Sequence, residues 1–227
     1  MLTNLNSLVV TLMASASIAK SCSVQSAYLS LPRDQTALVI PSGESVEHIA
    51  LGFGVQNYTC SSAGTYAYVP EILAAARMFY TRHPIRSVGA VAELLDISCL
   101  YGTKVFPALT ASAFNVFNAS KHITAQGVIA ALGDSAAVLG QHYFVTNPFT
   151  GVGVSPTFDF RAASQAGDPD AYIIANKTGD VPAPTGSQDV DWLELAGAVG
   201  GLAKHVFRVD TKWGQPPASV SSAAFSN

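Results

Sequence analysis

Alternation of apolar and polar side chains becomes regular at residues 46–55 of this chain. Ile49, Leu51, Phe53 and Val55 fall on one side and His48, Ala50, Gly52, Gly54 and Gln56 on the other, the two-residue period of a pleated strand. The small residues of the second face invite close packing or a bend. Residues 88–95, 141–145, 157–160, 171–175 and 204–211 read as further strands. In the last of these, Val206, Arg208 and Asp210 alternate with His205, Phe207 and Val209, the half-buried pattern of an antiparallel sheet. Helical signals are fewer. Pro70-Glu71 opens one candidate, with Ile72, Leu73, Ala76, Phe79 and Tyr80 at three- and four-residue spacing and His83-Pro84 as its stop. Residues 124–139 are rich in alanine and form a second, weakened by Gly127 and Gly133. With no internal repeat and no regular strand-then-helix alternation, the pattern predicts a mainly β fold: an antiparallel β-sandwich or barrel with one or two short helical insertions.

Outside the strands the chain divides simply. Residues 1–19 carry no charged side chain; an apolar stretch at residues 8–13 precedes Ser17-Ile18-Ala19, whose small residues mark the cleavage site of a signal peptide. Residues 20–45, punctuated by Pro32, Pro41 and Gly43, read as an extended arm, residues 46–219 as a single β-rich domain, and residues 220–227 as a loose tail. A bilayer-spanning helix needs about 20 continuous apolar residues. None occur, so no membrane span is expected.

Hydrophobic residues make up 49% of the chain and charged ones 12%, enough apolar material for a core and too little charge for a disordered chain. Twelve Lys and Arg against fifteen Asp and Glu leave a net charge of −3, without a basic cluster to neutralise a run of phosphates, so nucleic acid is not an expected partner. Cys22, Cys60 and Cys99, if exported, provide one disulfide and one leftover thiol. Asn57-Tyr58-Thr59, Asn118-Ala119-Ser120 and Asn176-Lys177-Thr178 are glycosylation sequons, which suit the same secreted, extracellular route.

Catalytic chemistry finds weaker footing. A serine hydrolase is one alternative, because residues 128–132 resemble an apolar strand running into Gly133-Asp134-Ser135. A serine nucleophile needs a base oriented by an acid, yet the late histidine, His205, has Leu202 three residues before it, and no Gly-x-Ser-x-Gly elbow occurs. Capping of a helix by Asp134 or Ser135 accounts for the same residues. Metal binding would want histidines or carboxylates at short spacing, whereas His48, His83, His122, His142 and His205 stand singly. His48, His142 and His205 all fall on predicted strands, where they can converge or be satisfied separately. A glycosidase would need two facing carboxylates; Asp96, Asp159, Asp191 and Asp210 sit at strand ends or within strands, where turn hydrogen bonds are their ordinary use. No metal and no cofactor is expected. For binding, aromatic residues beside polar ones can stack on sugar rings. Tyr58, His142, Tyr143 and Trp213 are the candidates, with Trp192 assigned to the core.

The run Gly52-Phe53-Gly54-Val55-Gln56-Asn57-Tyr58-Thr59-Cys60, with Gly140-Gln141-His142-Tyr143-Phe144, Pro156-Thr157-Phe158-Asp159-Phe160, Asp191-Trp192-Leu193, Phe207-Arg208-Val209-Asp210-Thr211 and Gly214-Gln215-Pro216-Pro217, resembles a family of secreted fungal and bacterial proteins catalogued as domain of unknown function 3455. The resemblance spans residues 41–219 and implies a secreted β-rich fold, with no agreed activity, ligand or catalytic residues. Some members carry the label malate dehydrogenase. Nicotinamide binding would need a glycine-rich turn between a strand and a helix to hold pyrophosphate. Gly52-x-Gly54 is followed instead by Asn57 at the third glycine position. The chain also has Val220 where members usually have cysteine, and stops where they continue into an aromatic closing strand. These departures imply a missing edge strand and a Cys60 without its partner, leaving Cys22 with Cys99 as the expected disulfide. The reading as a whole is a non-catalytic extracellular domain for a cell-wall polysaccharide or another extracellular component, with a Ser135 hydrolase as the alternative.

Overall fold

The computed structural model describes residues 22–56, 58–60, 66–68, 90–119, 124, 127, 130 and 137–216. Among them are strands β1 (Ala50–Gln56), β2 (Tyr58–Cys60), β3 (Tyr66–Tyr68), β4 (Ala90–Asp96), β5 (Val138–Thr146), β6 (Val154–Asp159), β7 (Tyr172–Val181), β8 (Trp192–Val199) and β9 (His205–Arg208), and the helix α1 (Leu109–Ala119). Seven strands pair antiparallel in the order β1-β4-β5-β6-β7-β8-β9 and curl into a half-barrel, while β2 and β3 pair with each other. The mainly β, antiparallel expectation holds, in its barrel-like form.

Register decides which residues share a face. Gly52 opposes Leu94, Gly54 opposes Ala92, and Ala92 opposes His142. His142 in turn opposes Phe158, and Phe158 opposes Ile173. This row lies on the concave side. A Cβ at Gly54 would overlap the Val91 carbonyl, and one at Gly140 the Asp159 carbonyl, so the small residues permit the close strand approach their pattern implied. Between β4 and β5 a bulge sets Leu94 opposite Gly140 but Leu95 opposite Val138. The extra residue, Leu139, thereby joins Leu94 in one core.

Each face has its own core. On the concave side Leu94, Leu139, Phe160, Ile173, Ala175, Leu195 and Leu202 are buried together. On the convex side Leu51, Leu95 and Ile97 bury against Leu109 and Ala113 of α1, with Phe53 and Val116 at the margin. Residues 22–49 form no strand or helix. They begin at a disulfide, Cys22–Cys99, with Cα atoms 5.1 Å apart, the pairing the family resemblance implied. Further along, Leu38 is buried, the Val39 N–H donates to Glu194 Oε2 at 2.7 Å, and Ala37 passes so close to Gly179 that a side chain there would strike its carbonyl. The arm thus covers the convex face of β7 and β8.

Four features depart from the sequence expectation. α1 was not anticipated: Leu109, Ala113 and Val116 have helical spacing, but their neighbours Thr110, Asn115 and Phe117 are poor helix formers and the helix is held by packing on Leu51 and Leu95. β8 was missed because Trp192, Glu194 and Leu195 are all buried, which erases alternation. Val138 and Leu139, read as the end of a helix, instead open β5, since Leu139 finds its burial at the bulge. The strand expected at residues 46–55 starts only at Ala50. The helix expected around residues 70–80 lies outside the described residues. Among the described residues no helix is long and apolar enough to cross a membrane.

Closing the 77-residue separation between Cys22 and Cys99 restricts the unfolded chain more than the folded one. Replacing both cysteines by serine is expected to lower unfolding free energy by about 2–4 kcal/mol. Urea titration of the variant, and of the native chain with and without reductant, checks this.

Candidate binding trough on the concave face

His142 occupies the middle of the concave face, on β5. Its ring stacks on Phe158 with centroids 4.5 Å apart and meets Phe144 edge-on at 5.3 Å. Nδ1 lies 3.0 Å from the Thr157 carbonyl oxygen, which can only accept, so Nδ1 carries the proton and Nε2 keeps a lone pair. Burial lowers the imidazole from its ordinary 6.5 to about 4, against the carbonyl contact, and the charge of Arg208 acts in the same direction as burial. At neutral pH the group is an uncharged acceptor set among aromatic rings. Arg208, on β9, donates from Nε and Nη2 to the Asp191 carbonyl at 3.1 and 2.8 Å.

One end of the trough is organised by a buried carboxylate. Asp189 is 1% exposed and sits in the connection between β7 and β8. Its carboxylate accepts from the Trp213 N–H at 2.6 Å, from Lys212 Nζ at 3.0 Å and from the Thr185 hydroxyl. Burial alone would push this carboxyl up; the three donors together bring it below the usual aspartate range. A bridge between Asp189 and Gly214, and the Val190 N–H donating to the Trp213 carbonyl at 3.1 Å, complete the clasp. Held this way, Trp213 adopts φ 62°, a left-handed conformation uncommon for a side chain of its size. One face of its indole stacks on Phe114 of α1, with centroids 5.5 Å apart and planes 19° off parallel, yet the residue stays 57% exposed.

The four binding candidates are distributed unequally. Tyr58 and Trp213 come together, the Tyr58 hydroxyl donating to the Gly214 carbonyl at 2.7 Å. One large open cavity borders them together with His142, Phe144, Phe158 and Arg208, and it extends as well to Phe53 and Ala113 on the other side of β1. Tyr143 is on the opposite, convex face. Its hydroxyl donates to Asp159 Oδ2 at 2.7 Å, and burial together with that carboxylate pushes the phenol up to about 12. Asp159 also pairs with Arg161, which lies over the Tyr172 ring at 4.0 Å. Phe144, Phe158, Arg208 and Asp189 were not singled out from sequence. The alternation around Val206 did place Arg208 on the same face as Val206, but nothing local marked Asp189.

The strand histidines stay apart. His48 meets Phe160 edge-on at 5.2 Å, whereas His205 Nδ1 lies 3.5 Å from Glu194 Oε1. Among the described residues no three His, Cys, Asp or Glu side chains are grouped as metal ligands. Asp96 accepts from the Ser98 N–H at 2.9 Å, a local turn bond. Gly52 and Gly54 lie inside β1, paired with an antiparallel neighbour, and not at the strand-to-helix turn that pyrophosphate binding requires. Asn118 is exposed on α1 and Asn176 on β7; Asn57 and Ser135 lie outside the described residues.

Residues 41–225 match the model of a family described as "Protein of unknown function (DUF3455)". The chain belongs to this family. No curated protein and no solved structure matches it. The DUF3455 match takes in all seven strands of the half-barrel as well as Tyr58, His142, Asp189 and Trp213, while Cys22 and the arm up to Ile40 precede it. In this DUF3455 protein the disulfide therefore fastens a preceding segment onto the matched region.

Protonation of His142 is disfavoured in the folded state, so the unfolded chain takes up a proton first as pH falls. Its contribution is complete above pH 6.5, is lost progressively on acidification, and stops changing below about 4. Urea midpoints measured across that window should fall more steeply for the native chain than for His142→Gln; parallel slopes would contradict the assignment.

Proposed function

We propose that this DUF3455 protein is a secreted, extracellular binding domain whose trough takes a cell-wall polysaccharide or a related extracellular glycan, without a catalytic step of its own. The observation that carries this reading is Trp213. A buried carboxylate fixes its backbone, Phe114 backs one face of the indole, and the ring is left open at the trough's end. Sugar rings bind to such a prepared aromatic surface through their apolar faces, and neighbouring polar groups fix their orientation. Neutral His142 supplies an acceptor, and the nearby Arg208 brings a cationic side chain to the same trough. The disulfide, the signal-peptide features of residues 1–19 and the sequons support the extracellular setting.

The test is retention of the purified chain on insoluble chitin and β-glucan. Asp189 grips Trp213 through its backbone N–H, so Trp213→Ala keeps the clasp and removes only the ring. Retention of the native chain, and its loss in this variant with an unchanged circular dichroism spectrum, is expected. Hydrolysis of a short-chain aryl ester that Ser135→Ala abolishes would overturn the binding-only reading, as would failure of the native chain to bind either polymer.

A further inference from the structure

The β5–β6 hairpin ends in the loop Asn147-Pro148-Phe149-Thr150-Gly151-Val152-Gly153. This loop satisfies its own backbone N–H groups. The Asn147 N–H donates to the Gly153 carbonyl at 3.1 Å, and the Gly151 N–H to the Asn147 carbonyl at 3.0 Å. Asn147 Oδ1 accepts from the N–H groups of Phe149 and Thr150 at 2.9 and 3.0 Å. Thr150 Oγ1 accepts from the Val152 N–H at 3.3 Å and donates to the Val152 carbonyl at 2.8 Å. Proline has no N–H, so every backbone donor from Asn147 to Val152 is bonded inside the loop. Gly151 and Gly153, at φ 69° and 71°, make the tight path possible.

What the loop turns outward is apolar. Phe149 is 65% exposed and Val152 74%, with Pro148 exposed beside them. No Asp, Glu, Lys or Arg occurs between Asp134 and Asp159. Antiparallel pairing puts this tip at the end of the half-barrel where β1 exits, the end that also carries exposed Val55. Water would satisfy the loop's N–H groups without any of these internal bonds. A hydrocarbon environment would not, and there each unbonded donor is costly. The tip is also convex and uncharged, a shape that enters a fluid apolar layer without a matching groove.

We infer that the 147–153 tip docks on a lipid surface, with Pro148, Phe149 and Val152 entering the headgroup–acyl boundary of an uncharged bilayer. The full chain should cosediment with phosphatidylcholine vesicles in lipid excess, and the bound fraction should survive high salt. Phe149→Ser combined with Val152→Ser should weaken partitioning at least about tenfold. Phe149→Trp, at an exposed position that tolerates the larger ring, should show a blue-shifted emission component on adding vesicles. The inference is overturned if the native chain stays in the supernatant, if the double variant binds equally, if the new tryptophan's emission does not move, or if binding requires anionic lipid and vanishes with salt. The double variant should retain its behaviour on chitin and β-glucan, which separates failure of the tip from failure of the trough.

Discussion

A single curled sheet must keep two faces from water, and this chain covers them by different means. The concave face is filled from within by aliphatic and aromatic side chains of the middle strands, around Ile173 and Phe160. The convex face is covered from outside, by α1 over β1 and β4 and by the N-terminal arm over β7 and β8. The arm is the more demanding cover because it lies over the buried carboxylate of Glu194. A buried carboxylate is tolerable only with donors at hand, and Val39 supplies one from a segment without regular structure. Beyond that inner core, the open cavity lies on the concave side, beside His142, Phe144 and Arg208.

Much of this was legible in the sequence where one face of a strand is buried and the other is not. β1 and β9 announce themselves by alternation, and the glycines of β1 by their position on a single face. Legibility fails where burial is two-sided or depends on distant chain. β8 carries Trp192, Glu194 and Leu195 in nearly continuous burial because the arm lies outside it, so its period vanished. α1 depends on Leu51 and Leu95, more than fifty residues upstream in one case, and its own composition argues weakly for a helix.

The trough was legible in part for a related reason. Tyr58, His142 and Trp213 are aromatic residues beside polar neighbours, which local sequence displays. Tyr143 has the same local look and faces the other way, since neighbours in a strand point to opposite sides. Asp189 was invisible because its importance comes from Lys212 and Trp213, partners that reach it only after β8 and β9 have been laid down.

That last dependence bears on how the molecule reaches its shape. The Tyr58–Gly214 hydrogen bond joins positions 156 residues apart, and every strand of the half-barrel beyond β1 lies between them in the chain. Contacts of such long range form slowly, because the entropy of closing the intervening loop is spent before the contact is made. The end of the trough that holds the indole thus cannot form until residues 212–214 have been synthesised, after every strand of the half-barrel.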